Sequence, residues 1–151
     1  MEKLRIGIVG AGNICTSGHL PAYKNCANAV PAAICDINFE RAESAAKNWG
    51  IPEAYASVGE MLEKADIDAV DICTWNNAHA PVAVAAAKAG KHIICEKPLA
   101  MDLKDALAME KAINEAGVIF LLAVPSRFGY ENMYLRELYD KGELGDRKSV
   151  V

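Results

Sequence analysis

Two sets of residues in this 151-residue chain have types and spacing that chemistry could use. The first is Gly10-Ala11-Gly12-Asn13-Ile14-Cys15, which directly follows an apolar run and precedes a helix-like stretch. A first glycine there permits a tight turn, and a second lets backbone approach a pyrophosphate. The N–H groups that open the helix, at Gly12, Asn13 and Ile14, are unpaired and lie at the positive end of its dipole. The third position of such a fingerprint takes a very small side chain and here holds Cys15. Asp36 closes the next apolar run, about 20 residues past Cys15, where a carboxylate accepts hydrogen bonds from ribose hydroxyls. Glycines alone would also fit a plain tight turn. Loop, strand context and acid together predict a dinucleotide site. The carboxylate would repel a 2′-phosphate, so NAD is expected over NADP. Arg41, about one helical turn further on, is the residue that could meet such a phosphate instead.

The second set consists of Asp71-Ile72-Cys73-Thr74-Trp75-Asn76-Asn77-Ala78-His79 and the block Gly90 to Leu99, which contains Glu96-Lys97-Pro98. Each polar cluster falls at the carboxyl end of an apolar run. In open parallel sheets that edge holds the ligand crevice. Solubility does not explain a Glu-Lys-Pro triplet there, and the proline fixes the backbone where the chain leaves the sheet.

The elements that must position these residues are legible as alternating apolar runs and helix-patterned segments. The expected strands are Arg5 to Val9, Val30 to Cys35, Ala54 to Ala56, Ala69 to Cys73, His92 to Cys95 and Val118 to Ala123. Most are apolar throughout, as strands buried on both faces should be. Phe39, Ala42, Ala45, Ala46 and Trp49 mark a helix stopped by Gly50. Ser57 and Glu60 read as a capping box before Val58, Met61, Leu62 and Ala65. Pro81 and Gly90 bracket an alanine-rich helix, and Asp102 opens another that ends at Gly117. The pattern specifies an α/β fold: a doubly wound parallel sheet of six strands, the Rossmann fold, with helices on both faces. Tyr130 to Lys141 reads as a further helix, and Arg147 to Val151 as the start of a strand. Residues 1–124 are thus expected to form a nucleotide-binding domain, and 125–151 a connecting helix and the start of a second domain.

A hydrophobic content of 52% suits a single compact core, and a formal net charge of -4 gives no reason to expect a nucleic-acid or anionic-membrane partner. No apolar run approaches the ~18 residues of a membrane span and no signal peptide is visible, so a cytoplasmic protein is expected. Five cysteines, widely spaced and without a Cys-x-x-Cys pair, predict free thiols and no metal site. Cys35, Cys73 and Cys95 lie in apolar runs and are expected to be buried and inert.

On Gly10 to Pro21 with its His19-Leu20-Pro21, Cys35-Asp36, Asp71 to His79, Gly90 to Leu99, Arg127-Phe128 and Gly142-Glu143-Leu144-Gly145, the chain resembles the Gfo/Idh/MocA oxidoreductases. Glu96-Lys97-Pro98 is the most specific of these elements. The resemblance implies a two-domain enzyme, Rossmann domain first and a mostly antiparallel domain second, acting on a hydroxyl carbon of sugars, inositols and related compounds. It implies that Lys97 is catalytic and contacts the reacting oxygen, that Glu96 binds near the nicotinamide ribose, and that Pro98 follows a cis bond. By the same resemblance Thr74, Asn76 and His79 run along the dinucleotide and Arg127 reaches the cleft. Trp75 stands where the family usually has proline, and Val124-Pro125-Ser126 departs from its usual asparagine. His19 and His92 are expected to pack or be solvated. The aspartate and histidine that the family uses as proton acceptor and substrate holder are expected in the second domain. An apolar side on the last helix favours a homo-oligomer. The alternative is a non-catalytic dinucleotide-binding or interaction module.

Overall fold

A computed structural model describes residues 3–145. The strand expected from Arg147 lies outside the described residues. Six parallel strands, β1 (Leu4–Val9), β2 (Ala29–Cys35), β3 (Glu53–Tyr55), β4 (Ala69–Ile72), β5 (His92–Glu96) and β6 (Phe120–Ala123), form one sheet in the order β3-β2-β1-β4-β5-β6. The order reverses between β1 and β4, and a crevice at the carboxyl ends of those strands is the standard ligand position in such sheets.

Period-two alternation sorts the strand side chains between two apolar layers. Ile6, Ile8, Ile34, Ala69 and Cys73 pack with Cys15, with Leu20 of α1 (Leu20–Lys24) and with Ala42, Ala45 and Ala46 of α2 (Phe39–Trp49). Val9, Ala33, Cys35, Val70, Ile72, Ile93 and Cys95 face Met61 of α3 (Val58–Lys64), four alanines of α4 (His79–Lys88) and Met109 and Ala112 of α5 (Leu103–Ala116). Buried Ala80, Ala83, Ala86 and Ala87 let α4 lie close on the sheet. The helices are therefore on both faces, as expected.

The capping residues act as anticipated. The Ser57 hydroxyl accepts the Glu60 N–H, and the Asp102 carboxylate accepts the Asp105 N–H at 2.8 Å. Gly50 and Gly117 end their helices in the left-handed conformation. Strand bounds move by a residue or two: β5 continues to Glu96, which pairs with Ala123, and β6 begins only at Phe120. The expected last helix is α6 (Tyr130–Asp140), none of whose side chains is buried. No helix among the described residues is long and apolar enough to cross a membrane.

Candidate active site at the carboxyl edge of the sheet

The glycine turn is shaped by its crossing of β4. Gly10 has φ +96°, and a Cβ on it would stand 2.8 Å from the Cys73 carbonyl oxygen. Only glycine fits both constraints. Gly12 is the opposite case: a Cβ there would meet nothing within 4 Å. The space above Gly12 is open to an approaching phosphate, and Asn13 and Ile14 beside it are exposed.

Past this turn the helix widens into a π-turn, Cys15–His19, in which the Leu20 N–H donates to the Cys15 carbonyl oxygen. The widened turn lies directly before Pro21, which has no N–H to give and whose ring crowds the preceding turn of a regular helix. Cys15 is fully buried beneath it, so the third fingerprint position still holds a small packed side chain.

Asp36 is anchored at the end of β2 by backbone donors. Its Oδ2 accepts the Ala11 N–H and its Oδ1 the Asn38 N–H, each at 2.8 Å, which ties the end of β2 to the glycine turn. A groove of about 550 Å³ opens alongside, lined by Ala11, Thr16, Asn38, Arg41, Ser44 and Trp49 among others. Arg41 is exposed there.

At β5 the Lys97–Pro98 bond is cis. The Glu96 carboxylate folds back to accept the Lys97 N–H at 3.1 Å, and Lys97 is exposed with no ion pair among the described residues. His79 is fully buried; its Nδ1 bonds the Pro98 carbonyl oxygen at 2.7 Å and its Nε2 faces the Thr74 carbonyl oxygen at 3.3 Å. His79 therefore clamps the loop after β4 to the loop after β5, a supporting position rather than an open one. Thr74 is half-buried, and Trp75 and Asn76 are exposed on the same loop. Arg127 is exposed in the short 3-10 turn Pro125–Phe128 past β6, and no hydrogen bond or ion pair among the described residues ties it to the other site residues.

A charged cluster missed in the sequence lies at the centre of this edge. His19 donates from Nδ1 to Asp71 Oδ2 at 2.8 Å and from Nε2 to Glu96 Oε1 at 3.1 Å, while the Tyr23 hydroxyl donates to the same Asp71 oxygen at 2.9 Å. Asp71 is fully buried. The hydrogen bond to Asp71, opposed by burial and aided by the charges of Asp71 and Glu96, pushes the His19 ring up to about 9 from 6.5. Burial, then Asp71, pushes the Tyr23 hydroxyl well above its usual range. His19, Asp71 and Cys73 have the spacing of a metal cluster, but His19 spends both ring nitrogens on carboxylates. Cys35, Cys73 and Cys95 are buried, as expected, and burial pushes the Cys35 and Cys95 thiols up to about 12.

His19 bears on stability with a definite sign. Its folded value is raised, so its contribution is fully present below about pH 6.5 and is lost as pH rises through about 9. We expect ~2 kcal/mol of stability to disappear across that window, allowing for the water that reaches the ring. Urea unfolding at intervals of pH should show this loss, and His19→Gln should remove most of the slope between pH 6.5 and about 8, below the range where the unfolded chain's thiols ionise. A native protein whose stability is flat from pH 6.5 to 9 would contradict the ion triad.

The turn with its open second glycine, the anchored acid at β2 and the polar strand ends define a dinucleotide-binding Rossmann domain. The family of oxidoreductases with an NAD-binding Rossmann fold, Gfo/Idh/MocA, matches residues 4–124, and the chain belongs to that family. It is 34% identical over 142 residues to the myo-inositol 2-dehydrogenase of Thermotoga maritima, covering 94% of this chain and 42% of that protein. Among solved structures, the apo scyllo-inositol dehydrogenase from Lactobacillus casei superposes with a TM-score of 0.90 at 28% identity, over 96% of this chain and 44% of that one. The WlbA dehydrogenase from Bordetella pertussis, solved with NADH and UDP-GlcNAcA, gives 0.89 at 30% identity, over 95% and 44%. The chain thus spans less than half the length of these relatives.

Proposed function

We propose that this domain serves an NAD-dependent oxidoreductase that transfers a hydride between the cofactor and a hydroxyl carbon of a polyol or sugar-like compound. One observation carries the reading: the glycine turn, Asp36 and Glu96-Lys97-Pro98 converge on one edge of a single parallel sheet. When bound, the nicotinamide supplies hydride transfer. The chain's own residues bind and prepare. N–H groups at Gly12, Asn13 and Ile14 hold the diphosphate, and Asp36 holds the adenosine ribose. Glu96 binds near the nicotinamide ribose, with Thr74 and Asn76 along the dinucleotide and Arg127 at the rim of the cleft. The Lys97 ammonium stabilises the negative charge that develops on the substrate oxygen and relays its proton at Nζ.

In this reading residues 1–124 form the cofactor domain and 125–151 lead into a substrate domain, which supplies the aspartate and histidine implied by the resemblance. Relatives more than twice as long support that division. So does α6, where Met133, Tyr134, Leu135 and Tyr139 are exposed and suited to burial against that domain or a second copy in a homo-oligomer. Five unpaired cysteines support a reducing, cytoplasmic setting. The name of the Thermotoga maritima relative supports a polyol substrate.

NAD is preferred to NADP because the Asp36 carboxylate would repel a 2′-phosphate. Calorimetric titration should show NADH bound more tightly than NADPH, and Asp36→Ala should weaken NADH binding by roughly 1 to 3 kcal/mol. Equal affinity for the two cofactors would overturn the role of Asp36.

A further inference from the structure

Lys97 works as an electrophile only if its ammonium is not spent on a neighbour. The carboxylate next to it in the chain is Glu96, with its side chain only 10% exposed. A carboxylate so placed draws the closest available cation. In this structure the cation it holds is His19, at 3.1 Å from Oε1, while Oε2 is occupied by the Lys97 backbone N–H rather than by the ammonium.

The origin of the arrangement is the strand period. Val70 and Ile72 of β4 and Ile93 and Cys95 of β5 face the α3, α4 and α5 layer. Asp71 and Glu96 therefore emerge on the α1 side, one near the end of β4 and one at the end of β5. His19 and Tyr23, four residues apart on the helix above, meet them. Asp71 is bonded by His19, by Tyr23 and, at 3.8 Å, by the Cys73 thiol. Its burial and three hydrogen-bonding partners hold it in place, and it orients the imidazole.

We propose that His19 is a positioning residue: clamped by Asp71, its ring is the counter-ion of Glu96 and so leaves the adjacent Lys97 ammonium free to face the substrate. This rests on the proposed function, in which Lys97 meets the reacting oxygen. The raised titration of the ring supports it, since the ring is charged through neutral pH. The same ring joins the helix that opens the dinucleotide site to the strand that carries Lys97, so the two halves of the site share one support.

The test reads the lysine itself. The full-length protein, without cofactor, is acylated with trace acetic anhydride at about pH 8, and the rate at Lys97 is measured by mass spectrometry against exposed Lys88. In His19→Gln the uncharged amide releases Glu96, the ammonium pairs with it, and the Lys97 rate relative to Lys88 should fall about tenfold. Adding Glu96→Gln to that variant should restore the ratio to within about twofold of the native value. A ratio unchanged in a folded His19→Gln protein, or a fall that Glu96→Gln does not reverse, overturns the proposal. Should His19→Gln fail to fold, Glu96→Gln alone decides: the native-background ratio should stay within about twofold, and a rise beyond about threefold would mean that Lys97 was already paired with Glu96. Because labelling needs no cofactor, failure of the proposed function is seen separately, as absence of NADH binding.

Discussion

Lys97→Ala in the full-length protein should lower turnover by a factor of about 100 to 10,000 while NADH affinity stays within about threefold. The lysine is exposed at the end of β5, on the cis turn that carries the chain out of the sheet, and its charge is not taken up by any described carboxylate. In the proposed function such a group contributes little to holding the cofactor, whose diphosphate and riboses are assigned to other residues. It contributes most when an alkoxide forms beside it, because a positioned charge in a water-poor cleft needs no reorganisation at that moment. Steady-state kinetics and calorimetric titration of the same variant separate the two effects. Turnover that survives within about threefold would reduce Lys97 to a surface lysine.

Gly10→Ala and Gly12→Ala should fail in different ways. At Gly10 the new Cβ meets the Cys73 carbonyl at 2.8 Å and the residue keeps φ +96°. Neither strand can retreat, because Val9 pairs with Ile72 and the Cys73 N–H donates to the Val9 carbonyl oxygen at 2.8 Å. Positive-φ strain and overpacking each cost about 1 to 3 kcal/mol, so the protein should lose roughly 2 to 6 kcal/mol of stability. At Gly12 nothing lies within 4 Å. Gly12→Ala should unfold within about 1 kcal/mol of the native protein yet bind NADH about tenfold or more weakly, since the methyl occupies the space a phosphate needs. Urea unfolding and titration of both variants would show the split. A stable, fully binding Gly10→Ala protein would remove the turn from the account.

Much of this was legible because each signal was local. Apolar runs gave the strands, and Ser57, Asp102, Gly50 and Gly117 stood where helix ends need those residue types. β6 begins later than its apolar run because Ile119 points its N–H at His92 Nδ1 rather than into a strand ladder. Asp36 and the cis proline lay at positions that chemistry and resemblance both marked. The His19 cluster was not visible in this way, because its members stand 52 and 77 residues apart and meet only through strand order. A signal did exist: Asp71 and Glu96 both interrupt the inward period of their strands on the same side, and His19 and Tyr23 share a helix face. The π-turn before Pro21 was likewise encoded only by a proline inside a helical segment. His79 was expected along the dinucleotide, and its complete burial assigns it to the support of that loop.

The central claim is that the carboxyl edge of this sheet is a dinucleotide site, and amide chemical-shift mapping during an NADH titration tests it most directly. Saturable shifts should concentrate at Gly12, Asn13, Ile14, Asp36, Thr74 and the Glu96–Lys97 turn. Saturable shifts centred instead on the groove of about 350 Å³ between the ends of α4 and α5, at Ala87, Lys88, Gly90, Ala112 and Glu115, or no saturable shift at all, would contradict the account.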